Sequence, residues 1–154
     1  RMSNFDNLRL DNQLCFALYS ATNSITRFYR SLLNEYDLTY PQYLVLVVLW
    51  EKDGVAIKDV MKQLKLDSGT LSPIIKRLQA AELVEKVRTD EDERVVRLFL
   101  TNKARQLEPH IAEVQNKVAC KTNLSSTEFF DLLSTLNQLT NDLNQREETT
   151  EKMT

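Results

Sequence analysis

Two cysteines and one histidine are the residues of this chain whose types can do redox or metal chemistry. Cys15 and Cys120 lie far apart in the 154-residue sequence, and His110 is its single histidine. A thiolate can attack a peroxide or bind a metal, but nothing around His110 has the spacing of a Cys/His zinc site. We therefore expect no metal, haem or other cofactor, and two thiols that are either inert or redox-active.

The expected compartment bears on the role of these thiols. The sequence has no run of about 18 apolar residues, and its start lacks the pattern of a secretion signal. We therefore expect a cytoplasmic protein without a membrane anchor. Thiols are kept reduced in that compartment, so a structural disulfide is not expected.

The overall charge argues weakly against a nucleic-acid partner. The formal net charge is −2 and the isoelectric point is near 5.5, whereas DNA-binding domains are usually basic. One segment differs. In the segment 57–80, five basic residues and two acidic ones, Asp59 and Asp67, give a local formal charge of +3 (five minus two). The basic residues are Lys58, Lys62, Lys65, Lys76 and Arg77.

Both ends of the chain are predicted to form long amphipathic helices. Apolar residues recur at steps of three and four from residue 11 to 34, with Asp11 as the expected N-cap. Two more helices follow residue 100, the second capped by Ser125 or Ser126. Such helices are too thin a layer to bury their own apolar stripes. We therefore expect the segments 11–34 and 101–146 to form the dimerisation region of a homodimer.

The middle of the chain predicts a helix-turn-helix. A mostly apolar helix runs through residues 40–50, and a short helix covers residues 57–64. A second helix is expected over residues 71–81. Its cap is placed near Thr70, because Pro73 has no backbone donor and is tolerated in the first turn of a helix.

A β-hairpin is expected directly after the second helix. The strands are predicted at residues 83–88 and 95–100, joined by a polar turn. A helix-turn-helix followed by a hairpin is a winged helix. The predicted fold class is therefore mostly α with a small β-hairpin wing, in a single domain over residues 1–154 whose winged helix-turn-helix covers residues 40–100.

The second helix of such a module lies in the major groove of DNA. Small polar side chains at its start can approach base edges, and basic side chains can reach phosphates. We assign Ser68, Thr70 and Ser72 to the first role, and Lys76 and Arg77 to the second. The alternative is a structural helix with ordinary caps.

The tip of the wing carries four acidic residues, 90–93, which DNA repels. A wing here must therefore present Arg94, a cation suited to a narrow minor groove, with Asp92 orienting it. The alternative is a solvated surface turn.

Four sequence runs resemble those of a known family. The runs LDSGTL (residues 66–71) and DEDER (residues 90–94) are similar to the recognition helix and wing of MarR-family regulators, a likeness that spans nearly the whole chain. The runs NQLCF (residues 12–16) and TYPQY (residues 39–43) resemble the organic hydroperoxide-sensing branch of that family. The resemblance implies a homodimeric repressor that binds a palindromic double-stranded DNA operator and responds to an organic hydroperoxide.

Cys15 is the expected sensing residue. With Asp11 as cap it is the fourth residue of the first helix, where the positive end of the helix dipole favours a thiolate. The resemblance implies that Tyr29 and Tyr40 hydrogen-bond this sulfur, with Tyr19 as a weaker third partner. Tyr29 lies 14 residues further along, about 21 Å in a straight helix, so it must come from the other subunit.

Cys120 is implied by the resemblance to be the resolving cysteine of the two-cysteine type. In that type it forms an intersubunit disulfide with the sensing cysteine; a bystander thiol is the alternative. The predicted function is thus a repressor that releases DNA when Cys15 is oxidised, and not an enzyme. Two rivals stay open: a MarR-type repressor released by a small phenolic ligand, and a thiol peroxidase.

Overall fold

The computed structural model describes residues 4–89 and 92–153, with the side chains of residues 92, 93 and 146–153 left out. It divides into two units, Arg1–Val118 and Ala119–Thr154, each described by itself below. The helices are α1 (Leu14–Leu33), α2 (Tyr40–Glu51), α3 (Ile57–Leu64), α4 (Ser68–Ala80), α5 (Asn102–Lys121) and α6 (Ser126–Met153). The strands are β1 (Val55–Ala56), β2 (Val84–Thr89) and β3 (Asp92–Leu100), and 3-10 turns lie at Asp6–Leu8, Leu10–Asn12 and Asn34–Tyr36.

Helix α1 begins later than predicted. The side chain of Gln13 donates to the carbonyl oxygens of Asn7 and Arg9 at 2.6 and 2.9 Å. This bond pattern holds the preceding chain in 3-10 turns, and Asp11 lies in the second of them. The predicted cap at Asp11 is therefore wrong. Gln13 is the N-cap, and Cys15 is the second residue of the helix, not the fourth.

Helix α2 begins as predicted and forms the centre of the core. Thr39 Oγ1 accepts from the Gln42 backbone at 3.3 Å, and the Gln42 side chain accepts from the Thr39 backbone at 3.0 Å. This reciprocal capping box satisfies two backbone donors at the start of the helix. Val45, Leu46 and Leu49 are fully buried, so α2 is a fixed support for the elements around it.

The helix-turn-helix is confirmed, but its second helix starts earlier than expected. Helix α3 has the predicted bounds, whereas α4 begins at Ser68 with Asp67 as its N-cap. Asp67 Oδ1 accepts from the Thr70 backbone at 2.8 Å. The helix thus starts three residues earlier than predicted, although Pro73 cannot donate a hydrogen bond to the Gly69 carbonyl. The cap predicted near Thr70 is therefore wrong, and Pro73 lies inside the helix.

The predicted hairpin is confirmed, and a third strand joins it. The antiparallel sheet has the order β1-β3-β2, with Leu98 of β3 paired to Val55 on one side and Lys86 on the other. Asp53 ties the base of the sheet together, because its Oδ1 accepts from the backbone of Leu100 and its Oδ2 pairs with Arg105, both at 2.9 Å. The predicted fold class, a mostly helical winged helix-turn-helix with a small wing, is confirmed.

In the second unit, α6 begins with a capping box. Ser125 Oγ accepts from the Glu128 backbone at 3.2 Å, and the Glu128 carboxylate accepts from the Ser125 backbone at 3.1 Å. The cap is therefore one of the two serines predicted. Among the described helices, none is long and apolar enough to cross a membrane.

Candidate functional site

Helix α4 has one buried face and one exposed face. Leu71, Ile74, Ile75 and Leu78 are buried against the core. The candidate DNA-binding residues are all exposed: Ser68, Thr70, Ser72, Lys76 and Arg77. A helix held from behind by four apolar side chains presents its polar face to a partner in a fixed orientation.

Asp67 gives one of these residues a structural role. Hydrogen bonds from the backbone and the side chain of Thr70 hold the pKa of the Asp67 carboxyl below its usual range. The Thr70 backbone N–H is thus used inside the chain, since it donates to Asp67 Oδ1 at 2.8 Å. Ser68 and Ser72 lie on either side of Thr70.

The wing places Arg94 beside a cation that the sequence argument did not assign. Arg94 is exposed and lines a cavity of about 470 Å³ together with Lys58 of α3. Lys58 was visible in the local charge count, but nothing in the sequence paired it with the wing. Residues 90 and 91 and the side chain of Asp92 lie outside the described part of the chain, and so does the predicted orientation of Arg94 by Asp92.

The two cysteines are free thiols on exposed residues. Cys15 is at the start of α1, where Leu14 and Phe16 are exposed to 63% and 46%. The first three amides of a helix have no partner within it, so this thiol lies where the positive end of the dipole is strongest. Cys120 is the penultimate residue of α5.

Three tyrosines form a cluster at the other end of α1. The Tyr29 ring centroid lies 5.1 Å from that of Tyr40 and 5.2 Å from that of Tyr43, and the last two rings are 5.7 Å apart. Burial raises the pKa of Tyr29, and a hydrogen bond with the Tyr43 hydroxyl raises it further. Burial also raises the pKa of Tyr40. Both phenols therefore stay protonated at neutral pH and can donate hydrogen bonds.

The predicted sensing residues thus fall into two groups. Cys15 and the exposed Tyr19 lie at the start of α1, whereas Tyr29 lies near its end against Tyr40. Fourteen residues of continuous helix separate Cys15 from Tyr29, about 21 Å at the α-helical rise. Sequence reasoning missed Tyr43. Its spacing of three from Tyr40, which puts both on one face of α2, was the available signal.

A helix-turn-helix with an exposed second helix and an adjoining wing defines a winged-helix regulator. The family model described as transcriptional regulator SarA/Rot matches residues 27–111, which is more than half of the chain. The chain belongs to the SarA/Rot family of transcriptional regulators. The expected resemblance to MarR-type regulators is confirmed at the level of this MarR-like winged helix. The hydroperoxide-sensing branch stays a prediction.

Two relatives with known names are similar over most of the chain. TtmR, an HTH-type transcriptional regulator of Methylorubrum extorquens (strain PA1), is 45% identical over 142 residues, covering 92% of this chain and 73% of TtmR. MgrA, an HTH-type transcriptional regulator of Staphylococcus aureus, is 39% identical over 128 residues, covering 82% of this chain and 87% of MgrA.

Solved structures of AbfR of Staphylococcus epidermidis are also similar. Reduced AbfR bound to DNA superposes with a TM-score of 0.78 at 30% identity, covering 93% of this chain and 98% of AbfR. Overoxidised AbfR bound to DNA gives 0.74 at 31% identity, covering 90% and 97%. Disulfide-formed AbfR gives 0.64 at 32% identity, covering 87% and 94%.

Proposed function

We propose that this protein is a homodimeric DNA-binding repressor that releases its operator when an organic hydroperoxide oxidises Cys15. One observation carries the proposal. The exposed thiol at the start of α1 lies about 21 Å along that helix from Tyr29, whose ring packs against Tyr40 of α2. Only a second chain can supply those tyrosines to the sulfur, so the sensing site is shared between subunits.

DNA binding is supported by the exposed face of α4 and by the cations around it. Lys76 and Arg77 lie on that face, and Lys58 and Arg94 line one cavity at the wing. Two of the similar solved structures contain AbfR bound to DNA. In a twofold dimer, two such helices about 34 Å apart read two half-sites of a palindrome.

Dimerisation is supported by the apolar side chains that each unit leaves exposed. In the first unit, Leu14 and Ile25 of α1 are exposed to 63% and 40%. In the second unit, Phe130 and Leu133 of α6 are 64% and 46% exposed. Large apolar side chains left exposed along two helices favour a protein–protein interface at those helices. We assign both helices to the subunit interface.

The proposed oxidation is a two-electron displacement on oxygen. The Cys15 thiolate attacks the terminal oxygen of ROOH, so that an S–O bond forms while the O–O bond breaks. The alkoxide leaves and takes a proton from solvent to become an alcohol. Cys15 is then a sulfenic acid. Before this step, Tyr29 and Tyr40 of the other chain donate hydrogen bonds that stabilise the thiolate.

The proposed second step joins Cys15 to Cys120 between subunits. The Cys120 thiolate attacks the Cys15 sulfur, an S–S bond forms, the S–O bond breaks, and hydroxide leaves and is protonated to water. One of the solved AbfR structures contains the overoxidised protein bound to DNA. We therefore assign DNA release to the disulfide and not to oxidation of one sulfur.

A gel-shift experiment with the DNA upstream of the gene that encodes this protein tests the proposal. Cumene hydroperoxide is expected to release the DNA, and dithiothreitol to restore binding. Cys15→Ser should bind DNA and ignore the peroxide. Cys120→Ser should become oxidised at Cys15 and stay bound, with no bridged dimer in non-reducing mass analysis.

Two outcomes would replace the proposal with its rivals. If the peroxide also releases DNA from Cys15→Ser, a ligand-responsive regulator is favoured. The same holds if salicylate releases DNA from the wild type while Cys15 stays unmodified. Steady consumption of many equivalents of peroxide with a thiol reductant favours a thiol peroxidase.

A further inference from the structure

A second cavity lies beside the one that Lys58 and Arg94 line. Its volume is about 490 Å³, and Ala56 lines both cavities, so the two adjoin. Among the described residues, three cations and one acid line it, which gives a formal charge of +2 (three minus one) in a chain whose net charge is −2. These charged residues are Lys52 after α2, Asp59 and Lys62 of α3, and Arg97 of β3.

Arg97 is held in place without being neutralised. Its Nη1 donates to the carbonyl oxygen of Gly54 at 2.9 Å, and a carbonyl carries no net charge. Within the described part of the chain, this is the hydrogen bond that its guanidinium makes, and a guanidinium has five N–H donors. The bond therefore orients the Arg97 side chain and leaves its charge and its other donors for a ligand.

The two lysines of this cavity also lack an acidic partner. Neither ammonium group makes a hydrogen bond or an ion pair with the described residues. Asp53 follows Lys52 directly, but its carboxylate is bound to the Leu100 backbone and to Arg105. Cations that line a cleft without acidic partners raise the local concentration of anions. The cavity is therefore suited to an anionic group.

DNA is the source of anionic groups that this position favours. Lys52 and Lys62 are exposed, so a free anion between them stays hydrated and binds weakly. A phosphate of DNA that is already held by α4 is present at a high effective concentration. The cavity is also continuous with the cavity of Lys58 and Arg94, whose cations support the proposed DNA binding.

We propose that Lys52, Lys62 and Arg97 bind a phosphate of the DNA backbone outside the segment that α4 reads. This inference rests on the proposed function and extends its DNA contact from the wing to the end of α2. Contacts with phosphates carry no sequence information, so this site adds affinity without adding specificity. Asp59 repels the same phosphate and limits the gain.

Lys62→Gln tests the inference, because this exposed side chain can be changed without leaving a cavity in the core. Affinity for the DNA upstream of the gene that encodes this protein should fall about fivefold, the size of two exposed ion pairs in a twofold dimer. The plot of log affinity against log KCl concentration should become less steep by about two, since each phosphate contact contributes about 0.9. An unrelated duplex of the same length should lose affinity by the same factor. Fluorescence anisotropy measures all three quantities.

Matched variants control for the net charge of the chain. Lys117→Gln removes the same charge from an exposed position of α5 and should leave the affinity and the salt slope unchanged. Asp59→Asn should raise the affinity, because it removes the acid that lines the cavity. Glu113→Gln removes an exposed acid of α5 and should not raise it. Equal effects of Lys62→Gln and Lys117→Gln would mean that these charges act only at long range, and the inference would be wrong.

The results also separate this inference from the proposed function. If the wild type binds DNA and cumene hydroperoxide releases it, while Lys62→Gln keeps the wild-type salt slope, the inference fails and the proposed function stands. If Lys62→Gln loses affinity for the upstream DNA but not for the unrelated duplex, Lys62 reads a base, and the inference fails again. If the wild type does not bind DNA, both fail.

Discussion

The winged-helix core and the first half of α1 differ in the exposure of their apolar side chains. Leu46, Leu71 and Leu98 of the core are at most 1% exposed, and each comes from a different element. Leu14 and Phe16 at the start of α1 are exposed to 63% and 46%. The core therefore buries its apolar side chains among elements of its own unit, whereas those at the start of α1 are exposed.

The residues of the proposed sensor are divided between the same two regions. The tyrosine cluster is attached to the core, since Tyr43 is buried in it and Tyr40 lies within the capping box of α2. Cys15 belongs to the exposed start of α1. Under the proposed function, oxidation of this sulfur therefore acts on the subunit interface and leaves the reading helix itself unaltered. Four substitutions test this division.

Leu46→Ala is expected to have the largest effect. Leu46 is fully buried in α2, so the cavity left behind should lower the free energy of unfolding by about 2–5 kcal/mol. Urea denaturation followed by circular dichroism measures it. Val47→Ala, at a neighbouring position that is 37% exposed, is the control and should cost much less. Similar losses of unfolding free energy for Leu46→Ala and Val47→Ala would contradict a core that is buried among elements of this unit.

Leu14→Asp should disrupt the dimer while leaving the core folded. An acid at the first residue of α1 suits the helix dipole, so the helix start is not weakened. Burying that charge in an apolar interface should raise the dimer dissociation constant by at least about tenfold. Sedimentation equilibrium measures this constant.

Asn23→Asp provides the matched control for that change. It introduces the same charge nine residues along α1, on the face opposite Leu14 at 100° per residue, and should leave the dimer intact. Dimerisation of Leu14→Asp at the wild-type constant would remove α1 from the interface.

The core was predictable from sequence because its elements carry repeating patterns. The bounds of α3 and the Thr39 cap of α2 follow from apolar period and local cap chemistry. The start of α1 was not predictable in the same way, because Gln13 bonds backwards to two carbonyls and makes Asp11 part of a 3-10 turn. A two-residue strand such as β1 has no period to detect.

The tyrosine cluster shows a second reason for a missed residue. Helix α2 is apolar on nearly every face, so the sequence does not indicate which of its side chains meet α1. Tyr43 therefore reads as one more core residue until the ring distances to Tyr29 and Tyr40 are known.

Arg94→Ala should weaken operator binding about tenfold and leave thiol oxidation unchanged. Arg94 belongs to the winged-helix core and not to the proposed sensing residues. Its loss should therefore lower the affinity for DNA without changing thiol oxidation. Fluorescence anisotropy at one fixed salt concentration measures the affinity. Lys86→Ala, which removes an exposed cation from β2 opposite Leu98, is the control and should lose less. Equal losses would reduce Arg94 to general surface charge.

Asp67→Ala should have the smallest effect, a modest pH-dependent loss of stability. Hydrogen bonds from Thr70 hold the folded-state pKa of Asp67 below its ordinary value, so the charged cap stabilises the fold above that ordinary value. The contribution is lost as the pH falls through the lowered folded pKa. Urea denaturation at neutral pH should therefore separate wild type from Asp67→Ala, and the gap should narrow in acid as the charge-dependent part is lost. Asp67→Asn, which keeps a capping oxygen, should retain most of the neutral-pH stability. A gap that is unchanged in acid would mean that the charge of Asp67 does not support the start of α4.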